Sequence, residues 1–142
     1  MVKYSKMQES DLSEVLEIEK EAFGSQSRHD FVDCMQKPIY SYMVLRDDSE
    51  LVGYYGTMTI GYESEILTIA VKAGLRRRGY GEMMLDNIIA TAKFNGCKVI
   101  YLEVNEKNTI AYNLYLKKGF IESYRRNEYY GKDDALILKL EL

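Results

Sequence analysis

Two stretches of this 142-residue chain hold residue types that could bind a charged ligand or move a proton. The first is "GLRRRGYGEMML", Gly74 to Leu85, three consecutive arginines set between glycines just ahead of an apolar pattern. If a helix starts here, its first backbone N–H groups lack partners and its end carries about half a positive charge. Such an end suits an anion. Glycines let oxygen atoms come close to the amides, and Arg76 and its neighbours add charge. A diphosphate is a natural guest. The stretch lacks the Gly-Lys-Ser/Thr of a P-loop and the spacing of GxGxxG; it reads Arg-x-x-Gly-x-Gly. A plain basic turn with a glycine at a helix start would have the same residues.

The second stretch, "KVIYLEVN", puts Glu103 inside an apolar run. An ionised carboxylate is costly to bury without a partner. Glu103 therefore faces solvent at an edge, pairs with an arginine, or sits in a wet cleft with a working pKa. Asn105 and Asn108 follow, at the end of a strand where α/β folds tend to place ligands. Beyond them "NTIAYNLYLKKG" sets Asn108, Ala111, Tyr115 and Lys118 on one helical face. A tyrosine there is either a core residue or a proton donor.

The elements that must position these residues follow from periodicity. "VKYSKM" alternates as a short strand. "SDLSEVLEIEKEAF" reads as a helix capped by Ser10, with Leu12, Val15, Leu16, Ile18 and Phe23 at mostly helical spacing. "GSQS" breaks the pattern, and "RHDFVDCMQK" predicts a second short helix ended by Pro38. "YSYMVLR", "LVGYYGTMTIG" and "EILTIAV" predict an antiparallel meander, with "DDSE" as a plain turn. From Gly79 to Asn95 the spacing is helical, and Gly96 ends it. "KVIYLEV" is a strand. "NTIAYNLYLKKG" is a helix with lysines in its last turn and Gly119 after it. "FIESYRRNEYY" and "ALILKLEL" close as a strand pair across the plain turn "KDDA". The order is β-α-α-β-β-β-α-β-α-β-β: a mixed α/β sheet with helices on its faces. The central strand–helix–strand unit is expected to be parallel.

The bulk properties narrow the function. The length fits one domain, residues 1–142, large enough for a core without metals or disulfides. With 46% hydrophobic and 29% charged residues the chain is an ordinary globular protein. A net charge of −3 disfavours general nucleic-acid binding. Cys34 and Cys97 form no CxxC pair and read as reduced core thiols, which fits a cytoplasmic protein. No stretch resembles a secretory leader or a membrane span. No cluster has metal-ligand spacing. His29, the single histidine, has no Ser or Cys motif around it and reads as a surface residue.

Taken together, "LTIAVKAGLRRRGYGEMML", "YLEVNEKNTIAYNLYLKKGF" and "RRNEYYGKDDALILKLEL" resemble the GNAT superfamily of acetyl-coenzyme A-dependent N-acetyltransferases. Within it they look most like the ribosomal-protein-alanine N-acetyltransferases, which act on protein N-termini. The likeness covers Leu67 to the C-terminus, and "DLSEVLEIEKEAF" fits the first helix of the family. The resemblance implies a single three-layer domain. It also implies acetyl-coenzyme A as co-substrate, an amine as acceptor, no metal, and a monomer or weak homodimer without nucleic-acid or membrane partners. The amides of Arg77, Arg78, Gly79, Tyr80 and Gly81 would take the coenzyme's diphosphate, with Arg76 in the first position of the motif. Backbone groups at Ile69 and Val71 would hold the pantetheine arm and thioester carbonyl. Asn108 matches the coenzyme-contacting asparagine, Glu103 the general base and Tyr115 the general acid. "RRNEYY" would border the acceptor groove.

Two departures fall on the acceptor side. The first helix of the family is usually followed by Pro-Trp; here the chain reads "FGSQSRHDF" and has no Trp. "RRNEYYGK" carries an extra Glu128, with Gly131 where proline is expected. The acceptor thus stays open between a protein N-terminus, a lysine side chain and a small amine. A coenzyme-binding module without turnover is a further alternative, against which Glu103, Asn108 and Tyr115 stand together. An α-amine titrates near ~7.8 and lysine near ~10.4, a gap of roughly 3.5 kcal/mol in deprotonation. A single glutamate therefore copes more readily with an N-terminus.

Overall fold

A computed structural model describes residues 1–24 and 31–142. The strands are β1 (Val2–Lys6), β2 (Tyr40–Asp47), β3 (Glu50–Ile60), β4 (Glu63–Val71), β5 (Val99–Asn105), β6 (Ile121–Tyr130) and β7 (Asp133–Glu141). The helices are α1 (Leu12–Phe23), α2 (Phe31–Met35), α3 (Tyr80–Phe94) and α4 (Thr109–Lys117). The element order is the one expected from sequence, with a short 3-10 turn (Glu9–Asp11) added before α1. The seven strands lie in the order β1-β2-β3-β4-β5-β7-β6. β4 and β5 pair in parallel, and β2–β3, β5–β7 and β6–β7 are antiparallel. No described helix is long and apolar enough to cross a membrane. His29 and residues 25–27 of "GSQS" lie outside the described residues.

The chain forms two compact units. The first comprises Met1–Met58 and Thr68–Ile88. Its core holds Val15 and Ile18 of α1, Phe31 of α2, and Tyr42, Val44 and Tyr54 of the sheet. Phe31 sets its ring edge-on to Tyr42 (5.3 Å) and Tyr54 (5.8 Å), a favoured aromatic geometry. The start of α1 differs from the sequence reading. Ser10 lies inside the 3-10 turn, and Asp11 takes the N-cap position. The Asp11 carboxylate accepts from Gln8 N–H (2.8 Å) and pairs with Arg46. The apolar face of α1 is also narrower than its spacing suggested. Leu16 and Phe23 are about half exposed, while Glu19 is buried where its carboxylate accepts from the Tyr54 phenol (3.0 Å). A buried polar partner on β3 has displaced the apolar pattern. The "DDSE" turn is tighter than a plain one: Asp48 and Ser49 both adopt positive φ, as a two-residue hairpin with right-handed strand twist demands.

The second unit comprises Thr59–Leu67 and Ile89–Leu142. Along β5 the burial alternates strictly, with Ile100, Leu102 and Val104 inside and Tyr101, Glu103 and Asn105 on the half-buried face. Phe120, Tyr115 and Leu138 complete this core. Cys97 is buried as expected; Cys34, in the first unit, is only half-buried. The β6–β7 hairpin absorbs the extra residue noted in the sequence. Arg126 pairs with Ala135 and Tyr130 with Asp133, so Asn127, Glu128 and Tyr129 bulge opposite Asp134 alone. Glu128 takes positive φ, and its N–H donates to the Asp134 carboxylate (2.7 Å). Gly131 has φ +82°, which proline, held near −65°, cannot adopt. "KDDA" is therefore no plain turn, since Asp134 pins the hairpin and also accepts from Arg125 (2.6 Å).

Candidate functional site

In the first unit the arginine-glycine turn leads directly into α3. Arg76, Arg77, Arg78 and Gly79 are exposed. Met83 N–H bonds back to Gly79 O (3.0 Å), so the amides of Tyr80, Gly81 and Glu82 precede the helical ladder. Gly79 has φ +86°, and Arg77, without a glycine's freedom, is also left-handed at φ +66°. Alternating backbone hands of this kind aim successive N–H groups into one concavity, an anion nest. The sequence reading assigned the unusual backbone to the glycines and missed Arg77. Arg76 Nε donates to Val71 O (3.3 Å), tying the turn to the end of β4. The Tyr80 phenol donates to Asp47 (2.7 Å). This bond holds the Asp47 carboxyl below its usual range and pushes the Tyr80 phenol up. Asp47 escaped the sequence reading because its partner lies in another element.

Ile69 and Val71 are half-buried on β4. The β4–β5 register ends at Ile66↔Leu102, so both residues lie on the part of β4 beyond it.

In the second unit the carboxylate of Glu103, 27% exposed, accepts from Arg126 (3.4 Å). Of the three settings open from sequence, the arginine pair is the one found. The guanidinium of Arg126 lies 5.3 Å from the centre of the Tyr129 ring, a cation–π geometry. Asn105 joins the ends of two strands: its Oδ1 accepts from Lys107 N–H (2.9 Å) and its Nδ2 donates to Asp133 (3.3 Å). Asn108 is the N-cap of α4, its side chain accepting from Ala111 N–H (3.3 Å). The sequence assigned it to a ligand alone; it also starts the helix. On the face shared by Asn108, Ala111, Tyr115 and Lys118 only Tyr115 is buried. Its ring meets Phe120 edge-on (5.7 Å), and burial pushes its phenol up to about 12. It is both a core residue and a weak acid. Glu65 of β4 also went unremarked. It stands in the polar start of "ESEILTIAV", between Ser64 and the apolar run, where local spacing asks nothing of a carboxylate.

The family model described as "Acetyltransferase (GNAT) family" matches residues 9–120. The chain belongs to the GNAT acetyltransferase family. It is an N-acetyltransferase, as are its named relatives. It is 30% identical to the ribosomal protein bS18-alanine N-acetyltransferase of Salmonella typhimurium over 128 residues, 87% of this chain and 80% of that protein. The crystal structure of the ribosomal-protein-S18-alanine N-acetyltransferase from Escherichia coli superposes with a TM-score of 0.90 at 26% identity. The match covers 99% of this chain and 94% of that one. A Bacillus subtilis acetyltransferase solved in complex with CoA has the same fold, with a TM-score of 0.84 at 23% identity, covering 100% and 99%. Within the GNAT family, the departures on the hairpin now have a physical form. Glu128 is housed in a bulge, and Gly131 serves a left-handed turn.

Proposed function

We propose that the chain is a single N-acetyltransferase domain that moves an acetyl group from acetyl-coenzyme A directly to the N-terminal α-amine of a protein. The observation that carries this acceptor is the breadth of the likeness. Proteins named ribosomal protein bS18-alanine N-acetyltransferases align with 87% and 97% of the chain. A ribosomal acceptor also supports action in the cytoplasm.

The turn fits a diphosphate. A Cβ built at Gly79 meets nothing within 4 Å, and one at Gly81 meets only Val71 Cγ2 at 3.9 Å. The protein itself leaves room beside both amides. The N–H groups of Arg77, Arg78, Gly79, Tyr80 and Gly81 would hold the diphosphate, with Arg76 beside them. Backbone at Ile69 and Val71 would hold the pantetheine arm and the thioester carbonyl, and Asn108 would be a coenzyme-contacting residue. Acetyl-coenzyme A supplies the acetyl thioester when bound.

The chain's own residues do the rest. Glu103 takes a proton from the acceptor's ammonium onto a carboxylate oxygen, which frees the nitrogen lone pair for the acetyl carbon. Val71 N–H stabilises the negative charge that gathers on the carbonyl oxygen. The C–N bond forms, the nitrogen's second proton passes to solvent, and the C–S bond breaks. Tyr115 then meets the departing sulfur. With its phenol at about 12 and a thiol near ~8.5, complete proton transfer is uphill by about 5 kcal/mol. Tyr115 therefore acts as a hydrogen-bond donor to sulfur, and solvent supplies the proton.

Thiol release from acetyl-coenzyme A tests the reading, with three acceptors in parallel: a peptide with a free N-terminal alanine, the same peptide N-blocked but containing lysine, and a polyamine. Turnover with the first alone is expected. Turnover only with the second or third would overturn the acceptor assignment.

A further inference from the structure

The face of β5 that carries Tyr101, Glu103 and Asn105 continues onto β4. Glu65 pairs with Tyr101 in the parallel register, and residues paired across a sheet share a face. Glu65, half-buried, thus stands beside Tyr101 and two residues along from Glu103. From β6, Arg126 reaches Glu103 at 3.4 Å while stacked on Tyr129. Two carboxylates and one guanidinium share this patch. The Glu65 carboxyl is pushed up first by burial and then by the negative charge of Glu103, while Arg126 pulls it down. By register the other ionisable groups described on this face are Glu63 of β4, Tyr101 of β5, Asp133, Lys139 and Glu141 of β7, and Tyr124 of β6, with Glu141 paired to Lys139.

We infer that Glu65 and Arg126 set the basicity of Glu103 from opposite sides, as positioning residues of the proton transfer. A nearby cation favours the ionised carboxylate and so weakens it as a base; a nearby anion does the reverse. Paired with Arg126 alone, Glu103 would be stable as an anion but slow to take a proton from an ammonium. Glu65 offsets part of that attraction. This rests on the reading that Glu103 takes the acceptor's proton.

The test is the pH profile of kcat for acetylation of the N-terminal peptide by Glu65→Gln, Arg126→Gln and the double variant, with Glu103→Gln alongside. Removing the anion makes Glu103 easier to ionise. Glu65→Gln should therefore shift the acid limb down by about one pH unit and lower the plateau several-fold. Arg126→Gln should shift the limb up. The double variant should return near wild type, and Glu65→Asp should keep the wild-type limb. The affinity for acetyl-coenzyme A should not change in any of them. Single variants whose limbs stay put or move in the same direction overturn the inference while leaving the base assignment intact. Full activity of Glu103→Gln would instead remove the base assignment and this inference with it.

Discussion

The turn before α3 and the half-buried face of β5 gather charge in different ways. The turn is made of backbone. Its arginines are exposed, its backbone is left-handed at 77 and 79, and one tyrosine ties it to Asp47. The β5 face is made of side chains drawn from separate strands, with Glu103, Glu65 and Arg126 meeting only because β4, β5, β7 and β6 are in register. A backbone site tolerates exchange of most side chains and fails when the main chain is blocked. A side-chain site fails when one functional group is lost and tolerates much around it. The two regions should therefore break differently.

The largest effect is expected for Glu103→Gln. Loss of a general base typically costs ~10²–10⁴-fold, and here it should appear in kcat with coenzyme affinity unchanged by calorimetry. Next is Gly81→Val in the turn. Its Cβ meets no crowding in the protein, so the fold should survive. The branched side chain should block approach to the amides and raise the Kd for acetyl-coenzyme A about 30-fold, roughly 2 kcal/mol. A normal Kd would reduce the turn to a helix start.

Tyr115→Phe should lower kcat about tenfold, as befits one hydrogen bond to a charged group. With the phenol at about 12, the wild-type rate should show no alkaline limb near pH 10 from this residue. The same value carries a stability consequence. In the unfolded chain a tyrosine ionises near ~10, so its contribution is complete below that pH. It is lost as pH rises from there towards 12, by about 3 kcal/mol in all. Denaturant titrations at pH 9 and pH 12 on wild type and Tyr115→Phe would measure it. The smallest effect is expected for Tyr80→Phe. Loss of the bond to Asp47 should loosen the turn and raise the coenzyme Kd about threefold, while kcat at saturation stays put.

The same contrast explains what the sequence disclosed. The turn is contiguous, and its glycines and arginines declare themselves within eight residues. Glu103 stands out because a strand leaves one charged side chain among apolar neighbours. Both helices flanking β5 end at the glycines that the pattern marked, Gly96 and Gly119. The partners were hidden. Arg126, Glu65 and Asp47 reach their places through strand pairing, and no local spacing encodes a register four strands wide. The half-exposed Leu16 and Phe23 failed the helical pattern for a related reason, since Glu19 is buried by a tyrosine supplied from β3.

The bulge opposite Asp134 separates the length of the hairpin tip from the alignment of its strands. Residues added or removed among Asn127, Glu128 and Tyr129 change the tip, while the Arg126↔Ala135 pair below them stays in step with Glu103. The hairpin behaves as a sleeve joint. Its outer end can be lengthened or shortened at Asn127 and Glu128 with the register below unchanged, while Tyr129 keeps its ring against the Arg126 guanidinium that meets Glu103.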